Sequence, residues 1–270
     1  MKFVHLHTHS HYSLLDGLSK IDDLITQTKA LEMEAVALTD HGNLYGAIEF
    51  YKKAKKAGIK AIFGCEFYVA PNGRLNKRAG ADEERNHLIL LAKNEAGWKN
   101  LLKLVTASNL EGFYYKPRID HELIKLHSDG LVCLAGCLSG EVSKFIKKNN
   151  YEKAKETADF YKSVFQDDYY FEIQPHEPGI HQGLKKLGEE LDVPLVATQD
   201  VHYAKKEDKQ VHEVLLAVQT NAKLEDENRF SLKGFDLHLN SPEEMAEIFK
   251  DFPEAILNTS KIAEKCNVAI

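Results

Sequence analysis

The sequence is poor in cysteine, in long apolar runs and in positive charge. Four cysteines, scattered over 270 residues, do not form the pattern of a disulfide framework. The apolar runs are short and interrupted by charged residues, so neither a transmembrane helix nor a signal peptide is predicted. A net charge of −6 excludes a general basic surface for gripping nucleic acid. We therefore expect a cytoplasmic protein whose contacts with DNA or phosphate are local or mediated by metal.

The composition, 43% hydrophobic and 28% charged, is ordinary for a globular protein. Along most of the chain, sequence patterns typical of strands alternate with patterns typical of helices. Apolar segments at 35–38, 59–69, 87–92, 131–135, 169–173 and 194–197 predict buried strands. Amphipathic segments between them predict helices, and the βαβ order favours parallel strands joined by right-handed crossovers. The length fits one large α/β domain or two small ones, and either a barrel or an open sheet accommodates six or seven such units.

Four histidines at every second position, His5, His7, His9 and His11, form the most informative motif near the start of the chain. An extended chain would direct all four imidazoles to one face, because side chains alternate along a strand. Imidazoles make a poor apolar core, but neutral imidazole is the commonest metal ligand in proteins. A single histidine is more often a surface or packing residue. Four in alternation, followed by Asp16, favour a metal site.

Further ligand-type residues recur where later predicted strands end. They are Asp40, His41, Glu66, Cys137, Asp200 and His202, whereas His87 comes at a strand start. Strand ends of an α/β barrel or sheet converge on one edge, so these residues can meet. Histidine, carboxylate and one thiolate suit zinc, manganese or iron better than magnesium or calcium. The number of ligands predicts two or three divalent ions, and clustered ions of this kind commonly hydrolyse phosphate esters.

The motifs around these residues are similar to those of a known family. His7-Thr8-His9-Ser10, Thr39-Asp40-His41, Gly64-x-Glu66 and Asp200-x-His202 resemble the polymerase and histidinol phosphatase (PHP) domain. The segments 7–17, 37–47 and 111–120 further resemble the branch of this family that forms the N-terminal domain of bacterial replicative DNA polymerases. The resemblance covers nearly the whole chain, and its motifs are highly specific.

The resemblance implies a fold and a ligand set. The fold would be an α/β, distorted seven-stranded (β/α)7 barrel, with residues 1–270 forming a single PHP domain whose last thirty or so residues lead toward a polymerase region. The site would be trinuclear. Its nine ligands by motif position would be His7, His9, Asp16, His41, Glu66, His87, Cys137, Asp200 and His202.

Three functions remain open at this stage. The first is a metal-dependent phosphodiesterase or 3′–5′ exonuclease acting on a DNA primer 3′ end, with DNA-directed DNA polymerase activity residing in the polymerase region of the parent chain. The second is a catalytically silent, metal-stabilised scaffold that supports the polymerase and docks a separate proofreading exonuclease. The third is a small-molecule phosphatase such as histidinol phosphatase, against which the 111–120 segment argues.

Catalytic roles are expected for two residues. Asp200 would act as a metal ligand, and Arg118 would contact phosphate, because its planar guanidinium matches phosphate oxygens. A surface salt bridge is the alternative for Arg118. Asp40 is expected to hold His41 from behind rather than to bind metal. His176 is a weaker candidate for the same edge of the fold.

Overall fold

The computed structural model describes residues 2–136 and 138–270. Within these ranges the strands are β1 Ala35–Leu38, β2 Lys60–Val69, β3 Asn86–Ala92, β4 Arg118–Ile119, β5 Leu131–Leu134, β6 Tyr169–Ile173 and β7 Leu195–Ala197. The helices are α1 Ile21–Ala30, α2 Ala47–Ala57, α3 Glu95–Leu110, α4 His121–Leu126, α5 Glu141–Lys147, α6 Tyr151–Phe165, α7 His181–Leu191, α8 Lys209–Gln219, α9 Pro242–Ile248 and α10 Pro253–Lys265. None of these helices has the length and apolar character needed to span a bilayer.

The seven strands form one curled sheet in the order β1-β2-β3-β5-β6-β7, with β4 paired to β2. The predicted mixed α/β architecture with seven strands is confirmed. The expectation of parallel strands throughout is wrong at β3, which runs antiparallel to both β2 and β5. The reason is the connection between β2 and β3. It is a loop over 70–85 without a crossover helix, and a parallel neighbour requires such a crossover.

The N-terminal segment lies between the two ends of the sheet order. His5 pairs with Val36 of β1, and Thr8 pairs with Val201, just beyond β7. Its backbone bonds in both directions: the Ala37 N–H donates to the His5 carbonyl at 2.9 Å, and the His9 N–H donates to the Val201 carbonyl at 2.7 Å. The segment therefore joins the two edges of the curled sheet into a barrel-like form, and its histidines sit at the seam.

Alternating positions on the strands separate two apolar layers. One layer, which includes Phe63, Leu90 and Phe171, packs against the surrounding helices. The other layer includes Ile62 of β2 and Val196 of β7, together with Ile262 of α10. Helix α10 therefore packs against the inner layer near the N-terminal ends of the parallel strands. Its Thr259 hydroxyl accepts a 3.1 Å hydrogen bond from the Val4 N–H, which ties the last thirty residues to the first strand-like segment.

Polar residues replace apolar ones on the inner face toward the other end of the strands. Ile62 is followed at alternate positions by Gly64 and Glu66, and Val196 by Thr198 and Asp200. Alternation places each series on one face of its strand. The inner face is thus apolar at the end near α10 and polar at the opposite end, where the candidate site is built.

Candidate metal centre

His7 and His9 enter the site as buried, oriented imidazoles. The Nδ1–H of His7 donates to Glu172 Oε1 at 2.7 Å, and the Nδ1–H of His9 donates to Ser13 Oγ at 2.9 Å. With Nδ1 protonated, the Nε2 atoms carry the lone pairs in the neutral rings, and these two atoms lie 3.1 Å apart. Two facing lone pairs repel each other unless a cation or a proton lies between them, so the pair has the arrangement of metal ligands.

Glu66, 1% exposed, is the centre of the cluster. Its Oε2 lies 3.5 Å from Nε2 of His7 and 3.3 Å from Nε2 of His9. The same oxygen is 2.7 Å from Nδ1 of His41, and Oε1 is 2.6 Å from Nδ1 of His87. One carboxylate therefore contacts four imidazoles contributed by the N-terminal segment, the end of β1 and β3. A carboxylate in this position would hold divalent cations together with the imidazoles.

Asp200 and His202 complete the cluster from the end of β7. Asp200 Oδ1 lies 3.2 Å from His7 Nε2 and 3.3 Å from His9 Nε2. The ring of His202 lies 4.5 Å from that of His9, centroid to centroid. Its Nδ1–H donates to the backbone carbonyl of Asp200 at 2.8 Å, which leaves the lone pair of Nε2 available to a metal ion. Asp200 has φ +59°, an uncommon left-handed conformation for a residue with a side chain.

Asp16 forms the outer side of the same cluster. Its Oδ2 lies 2.9 Å from Nε2 of His41, and its Oδ1 lies 3.7 Å from Nε2 of His202. The Asp16 backbone carbonyl accepts a 2.8 Å hydrogen bond from Nε2 of His212, which fixes the loop that follows the histidine motif. His41 therefore lies between two carboxylates, Asp16 on one ring nitrogen and Glu66 on the other.

Several atoms in the cluster lack the partners that buried polar groups normally have. Both oxygens of Glu66, Oδ1 of Asp200 and Nδ1 of His41 are buried without a well-formed hydrogen bond to any described residue. Ligand atoms of His7, His9 and Glu66, and likewise of His9, His41 and His202, all lie within 4.8 Å of one another. Carboxylate oxygens and imidazole nitrogens that lack hydrogen-bond partners and converge on one point are suited to bind divalent metal ions.

The electrostatics of the cluster agree with this fit. Burial opposes the charged form of His7, but Asp200, Glu172 and Glu66 together raise its pKa well above the ordinary value. Burial likewise opposes charge on His41, yet Glu66 and Asp16 raise its pKa to about 10. The carboxylates thus favour positive charge in the site, which protonated histidines can supply. Divalent cations would supply the same charge and leave the imidazoles neutral, the form in which they bind metal.

Asp40 lies behind the cluster, held by two serines. Its carboxylate accepts hydrogen bonds from the backbone N–H of Ser10 at 2.7 Å and from the hydroxyl of Ser13 at 2.7 Å. The oxygen of Ser13 in turn accepts from His9 Nδ1 and from the backbone N–H of His41 at 3.1 Å. Asp40 therefore orients two ligands through Ser13, as expected for a carboxylate that supports ligating histidines.

Glu172 was not identified from the sequence as a site residue. It lies on β6, 2% exposed, and orients His7 while accepting a 3.1 Å hydrogen bond from Gln174 Nε2. The Thr198 hydroxyl also donates to Glu172 Oε1. The available signal was an acid inside the apolar strand Tyr-Tyr-Phe-Glu-Ile, at the position where the inner face turns polar. Such an acid requires a buried partner.

Arg118 does not occupy the position that the sequence predicted. Its side chain is 1% exposed, and its guanidinium donates to the backbone carbonyls of Gly112, Asp82, Arg74 and Asn76 at 2.8–2.9 Å. Four of its five N–H groups are thus used within the protein. The expected phosphate contact is wrong for this reason, as is the alternative of a surface salt bridge. Arg118 instead fastens two loops to each other.

Eight of the nine candidate ligands come together in this site: His7, His9, Asp16, His41, Glu66, His87, Asp200 and His202. The ninth, Cys137, lies outside the described residues. Two neighbouring histidines serve elsewhere: the Nε2–H of His5 donates to the Asn240 carbonyl at 2.9 Å, and the ring of His11 packs on Tyr12. His176 lies 2.9 Å from Oε1 of Gln174, beside the Glu172 network.

Comparison with known proteins shows which sequences and structures the chain is similar to. The family model of the PHP domain matches residues 5–176. The chain is 48% identical over 271 residues to the DNA polymerase III subunit alpha of Borreliella burgdorferi, with 98% of this chain and 24% of that protein covered. It is 45% identical over 276 residues to the DNA polymerase III subunit alpha of Treponema pallidum, covering 100% of this chain and 24% of that protein. The chain therefore spans about a quarter of the length of these curated relatives.

Among solved structures, an amidohydrolase from Chromobacterium violaceum with bound sulfate and no metal shares the fold. The TM-score is 0.52 at 14% sequence identity, and the match covers 74% of this chain and 87% of that one. At this identity the likeness concerns the fold alone.

Proposed function

The chain belongs to the PHP domain family, and we propose that it is a metal-dependent phosphoesterase domain of a bacterial replicative DNA polymerase III alpha subunit. Its reaction would be the hydrolysis of a phosphodiester at the 3′ end of a DNA primer, a 3′–5′ exonuclease activity. Nucleotide addition would belong to a polymerase region of the full-length protein, with residues 1–270 as one PHP domain. The observation that carries the proposal is Glu66, a buried carboxylate contacting four imidazoles with both oxygens unsatisfied.

The site would hold two or three divalent ions, zinc, manganese or iron. Four carboxylates in and around the cluster, Asp16, Glu66, Asp200 and Glu172, supply enough negative charge for at least two such ions. The proposed ligands are the eight converging residues together with Cys137. Bound ions would supply Lewis-acid stabilisation of the charge that develops on phosphate oxygens during hydrolysis.

The side chains of this protein position that chemistry. Glu172 and Ser13 fix the ring orientations of His7 and His9, so the ligating nitrogens are in place before substrate arrives. Asp200, proposed to be catalytic, directs its carboxylate at both imidazoles from a left-handed backbone conformation. Such strained conformations persist where the surrounding structure determines them and often occur at functional sites.

A structural role is the second candidate, favoured by where the site lies. His7 and His9 belong to the segment that joins β1 to the end of β7, and Glu66 comes from β2. Ions bound there would link the seam of the barrel, which stabilises folding without any turnover. The domain would then be a scaffold for the polymerase region and a docking surface for a separate proofreading exonuclease.

One experiment separates these candidates. The protein is stripped with a chelator, reloaded with Mn²⁺ or Zn²⁺, and assayed on a primer labelled at its 3′ end, alongside Asp200→Asn and the exposed control Asp23→Asn. Metal-dependent release of the 3′ nucleotide, lost in Asp200→Asn alone, supports the exonuclease. Thermal stabilisation by metal without turnover supports the scaffold. Rapid hydrolysis of small phosphate monoesters with no cleavage of DNA would instead indicate a small-molecule phosphatase.

A further inference from the structure

Tyr68, at the end of β2, lies beside the metal centre with two basic residues near it. Its ring packs 5.8 Å from that of His41 and 5.3 Å from that of His87, centroid to centroid. Lys116 places its Nζ 5.7 Å from the centre of the Tyr68 ring. Apart from this ring contact, the side chain of Lys116 makes no ion pair or hydrogen bond with any described residue, so no carboxylate neutralises its charge.

Arg85 lies next to the strand that pairs with Tyr68. It immediately precedes β3, whose His87 pairs with Tyr68 in the sheet. Arg85 is partly buried and lies two positions before the candidate ligand His87. The backbone carbonyl of Arg85 accepts a 3.0 Å hydrogen bond from Lys144 Nζ, and within the described residues its guanidinium pairs with no carboxylate. A second unneutralised cation therefore lies near the metal centre.

An exposed aromatic surface adjoins Lys116. The segment Phe113–Lys116, here named the aromatic turn, has Tyr115 in a left-handed conformation at φ +59° and Tyr114 bridged to Lys116. Phe113 is 51% exposed and Tyr115 is 64% exposed. Exposed rings next to unpaired cations are the features on which single-stranded nucleic acid binds, with bases stacking on the rings and phosphates on the cations.

Arg118 holds this surface together. It donates to the carbonyl of Gly112, next to the aromatic turn, and its guanidinium lies 5.2 Å from the centre of the Tyr114 ring. It also donates to the carbonyl of Asp82, in the loop that leads to Arg85. The buried guanidinium of Arg118 thus fixes the two loops that carry Lys116 and Arg85.

We propose that Arg85, Lys116 and the Tyr115 ring form the binding surface that delivers a single-stranded nucleic acid to the metal centre. The two cations contact the phosphate on the 5′ side of the scissile one, and Tyr115 stacks on a base. The inference rests on the proposed phosphodiesterase function for its role in turnover. Binding of the strand can be measured without turnover. The substrate class that this surface selects is a single-stranded phosphodiester rather than a small phosphate monoester.

The test measures binding first, with no hydrolysis. A fluorescein-labelled hexathymidylate is titrated in EDTA by fluorescence anisotropy against the 270-residue chain, Lys116→Gln, Arg85→Gln and Tyr115→Ala. Each variant should weaken binding by about tenfold, and each lost cation should reduce the slope of log K against log salt by about 0.7. The matched control is Lys29→Gln with Lys56→Gln, two exposed lysines near the C-terminal ends of α1 and α2, which should bind as the unaltered chain does.

Turnover is then measured with metal restored. The Tyr115→Ala variant should raise the KM for a 3′-labelled single strand, whereas the control with Lys29→Gln and Lys56→Gln should cleave the strand as the unaltered chain does. If the unaltered chain cleaves nothing but the variants lose binding, the surface is established and the phosphodiesterase function fails. If the variants bind hexathymidylate as well as the lysine control does, this inference is overturned, whatever the unaltered chain cleaves.

Discussion

Replacing Glu172 by glutamine tests how the site orients its ligands. The carboxylate is buried, is 2.7 Å from the Nδ1 of His7, and accepts two more hydrogen bonds, from Gln174 and Thr198. Glutamine keeps the shape and one acceptor oxygen but removes the negative charge. An amide nitrogen placed toward His7 would also favour the wrong tautomer, with the proton on the ligating Nε2.

The expected magnitude follows from the role of Glu172 behind the ligand. Loss of a carboxylate that orients a ligating histidine typically weakens metal affinity by about 10–100-fold, which is about 1.4–2.7 kcal/mol. Part of the loss comes from the charge and part from the three hydrogen bonds that converge on one oxygen. The effect should therefore exceed that of any single neutral hydrogen bond of about 1 kcal/mol.

The assay is a competition titration against a chromophoric chelator with Mn²⁺ and with Zn²⁺, at a fixed pH. Glu189→Gln provides the control, since that glutamate is exposed on α7 and lies outside the cluster. We expect Glu189→Gln to bind metal as the unaltered chain does. An affinity of Glu172→Gln within about twofold of the unaltered chain would refute the idea that Glu172 orients His7 for binding.

Three further outcomes are expected. Arg118→Met should lower the free energy of unfolding, measured in urea, by about 3 kcal/mol or more, because it leaves buried carbonyls unpaired. Arg118→Lys should be destabilised as well, because an ammonium cannot reach all four carbonyls. A stability of Arg118→Met equal to that of the unaltered chain would contradict the role of Arg118 in holding the loops together. Metal at about 100 times its Kd should raise the melting temperature by about 5–10 °C relative to the protein in the presence of a chelator. An unchanged melting temperature would argue against a metal site in the folded protein. Burial opposes ionisation of Asp120, but hydrogen bonds from backbone N–H groups and from Arg74 lower its pKa below the ordinary value of 3.8. The ionised carboxylate therefore stabilises the fold above pH 3.8, and this stabilisation is lost as the pH falls below 3.8. The stability difference between the unaltered chain and Asp120→Asn should thus be largest near neutral pH and shrink below that value in urea titrations, and a difference that grows on acidification would refute this.

Local patterns were sufficient to find the residues that converge in the candidate metal centre. His7 and His9, like Asp200 and His202, are spaced two apart, and this spacing directs both members of a pair to one side of an extended chain. The convergence of strand ends then brings the pairs together, as the distances between His7, His9 and Asp200 show. Residue type and period carry this information without knowledge of the sheet order.

The supporting residues required the tertiary structure. Glu172 is one acid in an apolar strand, and its partner His7 is 165 positions away. Arg118 was misassigned because a guanidinium that binds phosphate and one that binds backbone carbonyls have the same sequence signature. Only the loops over 70–85 and 112–117, packed against its side chain, determine which of the two it is. The antiparallel direction of β3 was missed because the alternation of strands and helices elsewhere was extended to β2 and β3, which are joined by a loop over 70–85 without a crossover helix.

Anomalous diffraction at the manganese and zinc edges, from crystals grown with each metal, tests the metal centre most directly. We expect two or three peaks within bonding distance, about 2.0–2.2 Å, of the His7, His9, His41 and Asp200 ligand atoms, with a Glu66 oxygen bonded to more than one of them. Crystals grown with both metals that show no anomalous peak near Glu66, or peaks only at surface carboxylates, would contradict the existence of a metal centre at this end of the barrel.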